Sequence, residues 1–436
     1  MKYTIIGSGV AGIAAIEAIR SADGSGEITL IGDDPYGYYS RPGLAYYLTG
    51  EIHNQALFPR QKEYFQKLHF RYLKGNVKRI LRDQHYLEIE GHVYVAYDRL
   101  LLSLGAYAIP LEVPGSKLEG VLKLDHLNDA NQIIKLARRG KTAVVVGGGI
   151  TALELVEGLV ARGLKVHYLL RGDRYWSNVL DEQESKIVEH RLKEEGVKLH
   201  YHSEINEITG KHNRVNAVRL AGGAILKCDL VAYAIGIQPR TGLAKNAALD
   251  VDRGILVNEY MQTNDPSIFA AGDVAQVYDP YIKRSVLDSL WSPSRDQGSI
   301  AGLNMAGQKK PYIKSAPFNV TRLAGLTTTI IGVVGRGRDD DLVGIARGDS
   351  ETWRQLPDVL VAQTGFEVNR LRVLVGEKTL LGAIVMGDQT LSFPLEKIIS
   401  NNVDISAIRD GLLAPYANIA DILAGFWAKT VERVLN

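Results

Sequence analysis

A single cysteine, Cys228, stands in 436 residues. One thiol cannot close an intramolecular disulfide, nor can it supply the paired thiols of a CxxC motif. Excess charge is missing too: 51 basic side chains face 49 acidic ones, for a formal net charge of +2. A dedicated nucleic-acid binder concentrates basic residues on one face, so nucleic acid is not an expected partner. No uninterrupted apolar run approaches the ~20 residues of a membrane span. The opening "MKYTIIGSGVAGIAAIEAIR" lacks the basic n-region and cleavage site of a signal peptide. Low-complexity tracts are also missing, and no metal site is expected. These absences leave a cytoplasmic protein without integral membrane association, long enough for two or three domains.

What is present is glycine in a particular order. "YTIIGSGVAGIAAIEAIR" is an apolar strand running into Gly7, Gly9 and Gly12, followed by an alanine-rich helix. Such glycines permit a tight turn and bring backbone N–H groups to a pyrophosphate at the helix N-terminus. "EITLIGDD" then supplies a second strand ending at Asp33 and Asp34, where a carboxylate, Asp33 the candidate, can accept from an adenosine ribose. The pattern recurs in "KTAVVVGGGITALELVEGLVARGLKVHYLL", with Gly147, Gly149 and Ala152 at the turn. Two such units imply two dinucleotides, or a duplication in which one site is lost. Chemically, two sites suit a nicotinamide that donates to a tightly held flavin.

A third signal is "TNDPSIFAAGDVAQ", a short strand over 268–271 followed by Gly272 and Asp273. With this ordered set the chain resembles the pyridine nucleotide–disulfide oxidoreductase superfamily over roughly residues 1–320. The resemblance implies an α/β fold with two Rossmann-like dinucleotide-binding domains. An FAD domain (1–110 and 237–320) is split by an inserted NAD(P)H domain (111–236), and a small α+β interface domain (321–436) follows. It also implies that the first glycine turn binds the ADP part of FAD and that Asp273 holds the ribityl chain. "YDRLLLSLGA" and "YAIGIQPR" fall where the family's crossovers belong. The first carries Ser103-Leu104-Gly105 where Ala-Thr-Gly is usual.

Disulfide-reducing members carry cysteine beside the flavin, in a segment similar to "YYSRPGLAYYLT". Here Pro42 takes that place, and Cys228 reads as a small buried hydrophobe. What remains resembles the cysteine-free branch: reductases of rubredoxin and ferredoxins, and the flavin part of assimilatory nitrite reductases. The resemblance lays Arg41 along the FAD and the aromatic segment against the flavin. It puts Tyr46 where many relatives have a lysine, and Ile150 where they often have a covering tyrosine. Glu154 orients the nicotinamide, as the candidate catalytic residue. In "LWSPSRDQGSIAGLNMAG", Ser292 is expected to cap a helix with Pro293 in its first turn. That helix end would favour an anionic reduced flavin, with Trp291 close to the ring.

The expected activity is transfer from NAD(P)H to FAD and on to an acceptor, a small electron-transfer protein such as a rubredoxin or ferredoxin. Leu170 stands where NADH users place an acid, and Arg171 and Arg174 follow it. NADPH is therefore favoured, although Asp173 can neutralise the site. Rival readings are an NAD(P)H oxidase, a quinone reductase, and a nucleotide-responsive redox switch protein. Along the last helix, Ile419, Leu423, Phe426 and Trp427, flanked by Lys429 and Arg433, suit a membrane surface. A domain contact, or a homodimer through the C-terminal domain, is the preferred use of that face.

Overall fold

The computed structural model describes residues 1–280, 283–335, 342–348 and 368–435. Compactness divides the chain into two units: residues 1–147, 154–165 and 205–314, and residues 148–153, 166–204 and 315–436.

In the first unit the apolar opening forms strand β1 (Lys2–Ile6), with Tyr3 to Ile6 all buried. Burial on both faces is what a central parallel strand requires. The chain continues through helix α1 (Val10–Ala22), strand β2 (Glu27–Gly32), helix α2 (Gly43–Thr49), and strands β3 (Phe70–Lys74) and β4 (Arg99–Leu102). Helix α3 (Leu127–Leu136), strand β5 (Ile268–Ala270) and helix α4 (Trp291–Met305) complete the frame. The sheet order is β5–β4–β1–β2–β3, every neighbour parallel. Consecutive β1 and β2 pair through α1, the crossover that a parallel sheet demands. The five carboxyl ends therefore share one edge of the sheet, where open α/β folds bind ligands. Buried alanines 11, 14, 15 and 18 on α1 let α4 approach closely.

A second parallel set in this unit joins Val121–Lys123, Leu230–Tyr233 and Thr142–Val146. The described residues thus carry two dinucleotide-type strand–turn–helix arrangements, as the repeated glycine pattern predicts.

In the second unit, Lys165–Leu169 pairs parallel with Lys198–His200. Residues 315–436 contribute an antiparallel sheet with helices, which agrees with the α+β expectation: Phe318–Leu323, Leu326–Gly332, Leu380–Met386, Arg370–Gly376 and Leu342–Gly348, in that spatial order. The last helix, Ile419–Leu435, buries Ile419 and Leu423 in this core and packs Phe426 and Trp427 against it. Its apolar face thus lies against the core of this same segment. The side chain of Arg433 lies outside the described residues. Asp181 caps the helix Glu182–Glu194, with Glu184 completing a capping box. Arg372 donates to Glu184 at 2.9 Å, while Arg347 and Arg370 donate to Asp181 at 2.9 and 3.1 Å. Burial works to raise the Asp181 carboxyl, but the Glu184 amide and the two guanidiniums outweigh it and hold it at about 2. Among the described residues, no helix is long and apolar enough to cross a membrane.

Candidate functional site

The first glycine turn is held by backbone geometry that only glycine meets. Gly7 has φ +112°, and a Cβ there would stand 2.1 Å from the Ser103 carbonyl oxygen. A Cβ on Gly12 would stand 2.1 Å from the Gly7 carbonyl oxygen, so α1 can lie this close to the turn only without a side chain. Gly9, the N-cap of α1, faces open space. A side chain there would fill the space in front of the helix end, where the partial positive charge favours an anion. Ser103, the departure from Ala-Thr-Gly, contributes directly: its hydroxyl donates to the carbonyls of Ile6 at 2.9 Å and Gly7 at 3.1 Å.

Six of the predicted residues meet at this turn. Gly7, Gly9, Asp33, Arg41, Gly272 and Asp273 line one cavity of about 430 Å³. Gly272, at φ +79°, donates its N–H to Gln297 Oε1 at 2.9 Å. Asp273 accepts from the Ser294 hydroxyl at 3.1 Å. Burial raises the Asp273 carboxyl above its ordinary value, against the pull of Ser294 and Arg41. Ser294 and Gln297 lie three apart on α4, so one helix face fixes the Gly-Asp turn. A second cavity of about 560 Å³ is lined by Gly75, Asn76, Val77 and Gln238. The two share Gly7, Asp33, Leu104 and Arg240. The wall thus offers a helix N-terminus and two arginines for phosphate, carboxylates for hydroxyl groups, and two cavities with a shared border. That donor set fits the diphosphate, ribityl and adenosine parts of FAD.

The aromatic segment, together with Tyr36 just before it, is pinned by its hydroxyls. Tyr36 donates to Asn128 at 2.7 Å and Tyr47 to Asn131 at 2.9 Å, while the Tyr39 oxygen accepts from the Leu127 N–H at 3.0 Å. All three partners lie on α3. Tyr36 and Tyr39 line the cavity and Tyr46 does not. Arg162 closes the other end of α2 by donating to the carbonyls of Leu48 at 2.8 Å and Tyr47 at 3.3 Å.

Gly12, Trp291, Glu154 and the residues of the second turn are not in that wall. Trp291 is 42% exposed and is itself the first residue of α4. The expected Ser292 cap is therefore corrected: Leu290 occupies the N-cap position, with no side-chain cap. Pro293 stays in the first turn, where its missing N–H costs nothing. In the second turn Gly147 has φ +140°, Gly149 faces open space, and Ala152 is fully buried. Burial alone pushes the Glu154 carboxyl up to about 7. Leu170 is buried, at 1% exposure. The Arg171 side chain is 87% exposed, 3.8 Å from Glu204. Arg174 is turned onto Asp173 at 3.1 Å and the Ser177 carbonyl at 3.3 Å. Cys228 is buried, and burial raises its thiol to about 12.

Sequence reasoning missed His126, Arg240, Ser294 and Gln297. Arg240 was available in the quoted crossover "YAIGIQPR". His126, at the N-cap of α3, carried no local signal.

Residues 1–298 match the family model described as pyridine nucleotide-disulphide oxidoreductase. The nitrite reductase [NAD(P)H] of Bacillus subtilis (strain 168) is 25% identical over 408 residues, covering 93% of this chain and 48% of that protein. This chain thus spans about half the length of that relative. The rhodocoxin reductase of Rhodococcus erythropolis is 31% identical over 349 residues, covering 78% of this chain and 82% of that protein. A crystal structure of a ferredoxin reductase from Rhodopseudomonas palustris aligns at a TM-score of 0.85 and 24% identity, covering 98% and 99% of the two chains. The fold, the ordered glycine turns and the Gly-Asp turn agree with that match over more than half of the sequence, and the chain belongs to the pyridine nucleotide-disulphide oxidoreductase family.

Proposed function

We propose that this protein is an FAD-dependent NAD(P)H reductase that passes electrons to a small redox protein, such as a rubredoxin or ferredoxin, without using a thiol. The observation that carries the reading is the convergence of Gly7, Gly9, Asp33, Arg41, Gly272 and Asp273 on one cavity. The only cysteine is buried and held as a thiol. Gly9 and α1 would receive the diphosphate, Arg41 would pair with it, and Asp33 and Asp273 would accept from ribose and ribityl hydroxyls. When bound, the flavin takes a hydride from the nicotinamide and releases electrons singly or in pairs. The chain's own share is positioning, so no essential general base is expected. Glu154 would orient the nicotinamide, and a carboxyl near half-protonation at neutral pH can donate a hydrogen bond as well as accept one.

The domain division proposed with this function is 1–110 and 237–320 for FAD, 111–236 for NAD(P)H and 321–436 for an interface, with a homodimer through the last. Light scattering of the purified protein tests the dimer. NADPH is the proposed donor. Because Leu170 is interior and Arg174 is engaged by Asp173, this preference rests on the exposed Arg171. Arg171→Ala should lower the NADPH/NADH ratio of kcat/KM about tenfold, the worth of one charge-assisted contact. An unchanged ratio removes the proposal.

The purified protein should be yellow and release free FAD on heating. Under anaerobic conditions NAD(P)H should bleach the flavin, and a rubredoxin or ferredoxin should restore it faster than oxygen or a quinone does. Colourless protein that cannot be reconstituted would sink the reading. Faster reoxidation by oxygen would replace it with an oxidase.

A further inference from the structure

The cavity wall contains a titratable imidazole. His126 Nδ1 lies 3.1 Å from Arg41 Nη2, and its Nε2 lies 3.4 Å from Asp125 Oδ2 and 3.5 Å from Arg240 Nη2. Each ring nitrogen faces a guanidinium, which only donates. Nδ1 has the shorter contact and accepts from Arg41; the ring proton is assigned to Nε2, which has the Asp125 carboxylate beside it and Arg240 slightly farther off. The ring is neutral in this arrangement. Other charged groups face it from the neighbouring elements. Asp34, in the loop after β2, is 3.9 Å from Nδ1, and Asp129 and Lys123 act from its own segment. Arg41 is also 3.7 Å from Asp125. Burial first, and the charge of Arg41 second, hold the imidazole below its ordinary pKa, against the pull of Asp125 and Asp129.

An anion entering the cavity changes these partners. Arg41 and Arg240 both line it with His126, and both prefer a doubly anionic diphosphate to a neutral ring nitrogen. Once Arg41 turns to the phosphate, Nδ1 loses its donor, the nearby positive charge is offset, and the lone pair is free to take a proton. We propose that His126 is a proton-linked anchor for the diphosphate of the bound dinucleotide, neutral while Arg41 is turned onto it and protonated when an anion draws Arg41 away. This inference rests on the FAD reading above. The step is a protonation only: one proton passes from solvent to Nδ1, no covalent bond to the ligand forms, and no electron moves.

The sign follows from linkage. The bound state holds one more proton than the free state between the two titrations of His126, so affinity tightens as pH falls, up to tenfold per unit. None of FAD's own groups titrates near neutrality. Asp273 is the rival acceptor in the same wall, because its carboxyl is also raised by burial.

The test uses the full chain stripped of flavin and titrated with FAD between about pH 6 and about pH 8, the range in which histidine changes charge. Flavin fluorescence gives Kd, and calorimetry in buffers of unlike ionisation enthalpy counts protons. Uptake approaching one proton per FAD, with Kd rising severalfold per unit of pH, is expected. His126→Gln should abolish both the uptake and the slope, and His126→Arg, with a permanent charge, should bind tightly with a flat profile. Asp273→Asn should bind more weakly but keep the uptake. If His126→Gln retains the uptake, or Asp273→Asn loses it, the assignment to His126 is wrong. FAD binding with no proton exchange at any pH also overturns it while leaving the flavoprotein reading intact. No FAD binding at any pH overturns both.

Discussion

The two glycine turns share a spacing and differ in what they allow. Gly7 and Gly147 both adopt positive φ, at +112° and +140°, and Gly9 and Gly149 both face open space. At the third position the turns part. A Cβ on Gly12 would collide with the Gly7 carbonyl, whereas the second turn accommodates Ala152 with its methyl fully buried. Two residues further on, the first helix has Ala14, buried and apolar. The second has Glu154, a carboxyl lifted to about 7 by burial. Away from the cavity that Gly9 faces, the first turn is thus braced by backbone and by Ser103, as would suit a cofactor kept through every turnover. The second has room for a side chain and carries a titratable group at the matching place, as suits a ligand that comes and goes.

The largest effect should come from adding one methyl to the tighter turn. Gly7→Ala combines an unfavourable φ with a 2.1 Å overlap against backbone, and strain plus overpacking of this kind costs about 3 kcal/mol or more. FAD should be lost and the chain destabilised in urea. The mirror substitution, Ala152→Gly, should cost only ~1 kcal/mol, the helix propensity of glycine. Equal effects of the two would erase the distinction between the turns.

Next in size is Asp273→Ala. It removes a charged acceptor, and hydrogen bonds to charged groups are worth about 1.5–3 kcal/mol. FAD should therefore dissociate roughly ten- to a hundredfold more readily, as measured by fluorescence of the released flavin. Unchanged retention would mean that the Gly-Asp turn does not hold the ribityl chain.

Glu154→Gln probes the other turn through pH. The carboxyl titrates at about 7 in the folded chain against an ordinary 4.5. Below the lower value it is protonated in both states and contributes nothing. As pH rises toward 7 the unfolded chain ionises first, and stability falls; above 7 the full cost is present, at most about 3 kcal/mol. The flavin- and nucleotide-free variant should thus match the parent near pH 4.5 and exceed it at pH 8 in thermal melts. A pH-independent difference would show that the carboxylate is stabilised by something other than solvent.

Much of this was legible because it is local. The glycine turns, the strand ends and the Gly-Asp turn each fit within about twenty residues, and a buried strand is legible in "YTIIG" as a short apolar run that ends at a glycine turn. That Arg41 and Asp273 share a cavity came from resemblance, since no spacing reports that two segments more than two hundred residues apart converge. The tyrosine pegs and His126 were illegible for the same reason: Tyr36, Tyr39 and Tyr47 bond to partners on α3. Ser292 misled because local capping preference does not register that Trp291 is already helical.

The smallest expected effect on turnover is that of Cys228→Ser, which asks whether either turn cooperates with a thiol. Cys228 is buried just after the strand Ile225–Lys227, which pairs antiparallel with Arg214–Leu220, and its backbone N–H donates to the Asn216 carbonyl at 3.1 Å. Burial, aided by Asp229, keeps its pKa at about 12. The thiolate is the nucleophile in thiol redox chemistry, so at pH 8 only about one molecule in ten thousand would carry it. The serine hydroxyl brings a polar group into an apolar place, and should cost about 1–3 kcal/mol of stability. That loss belongs to folding and not to electron transfer. With both cofactors bound and the chain folded, the variant should reduce its flavin and pass electrons at the parent's rate in stopped-flow measurements. A folded variant with intact cofactor binding and no turnover would return the thiol to the mechanism, and the contrast between the two turns would no longer account for the chemistry alone.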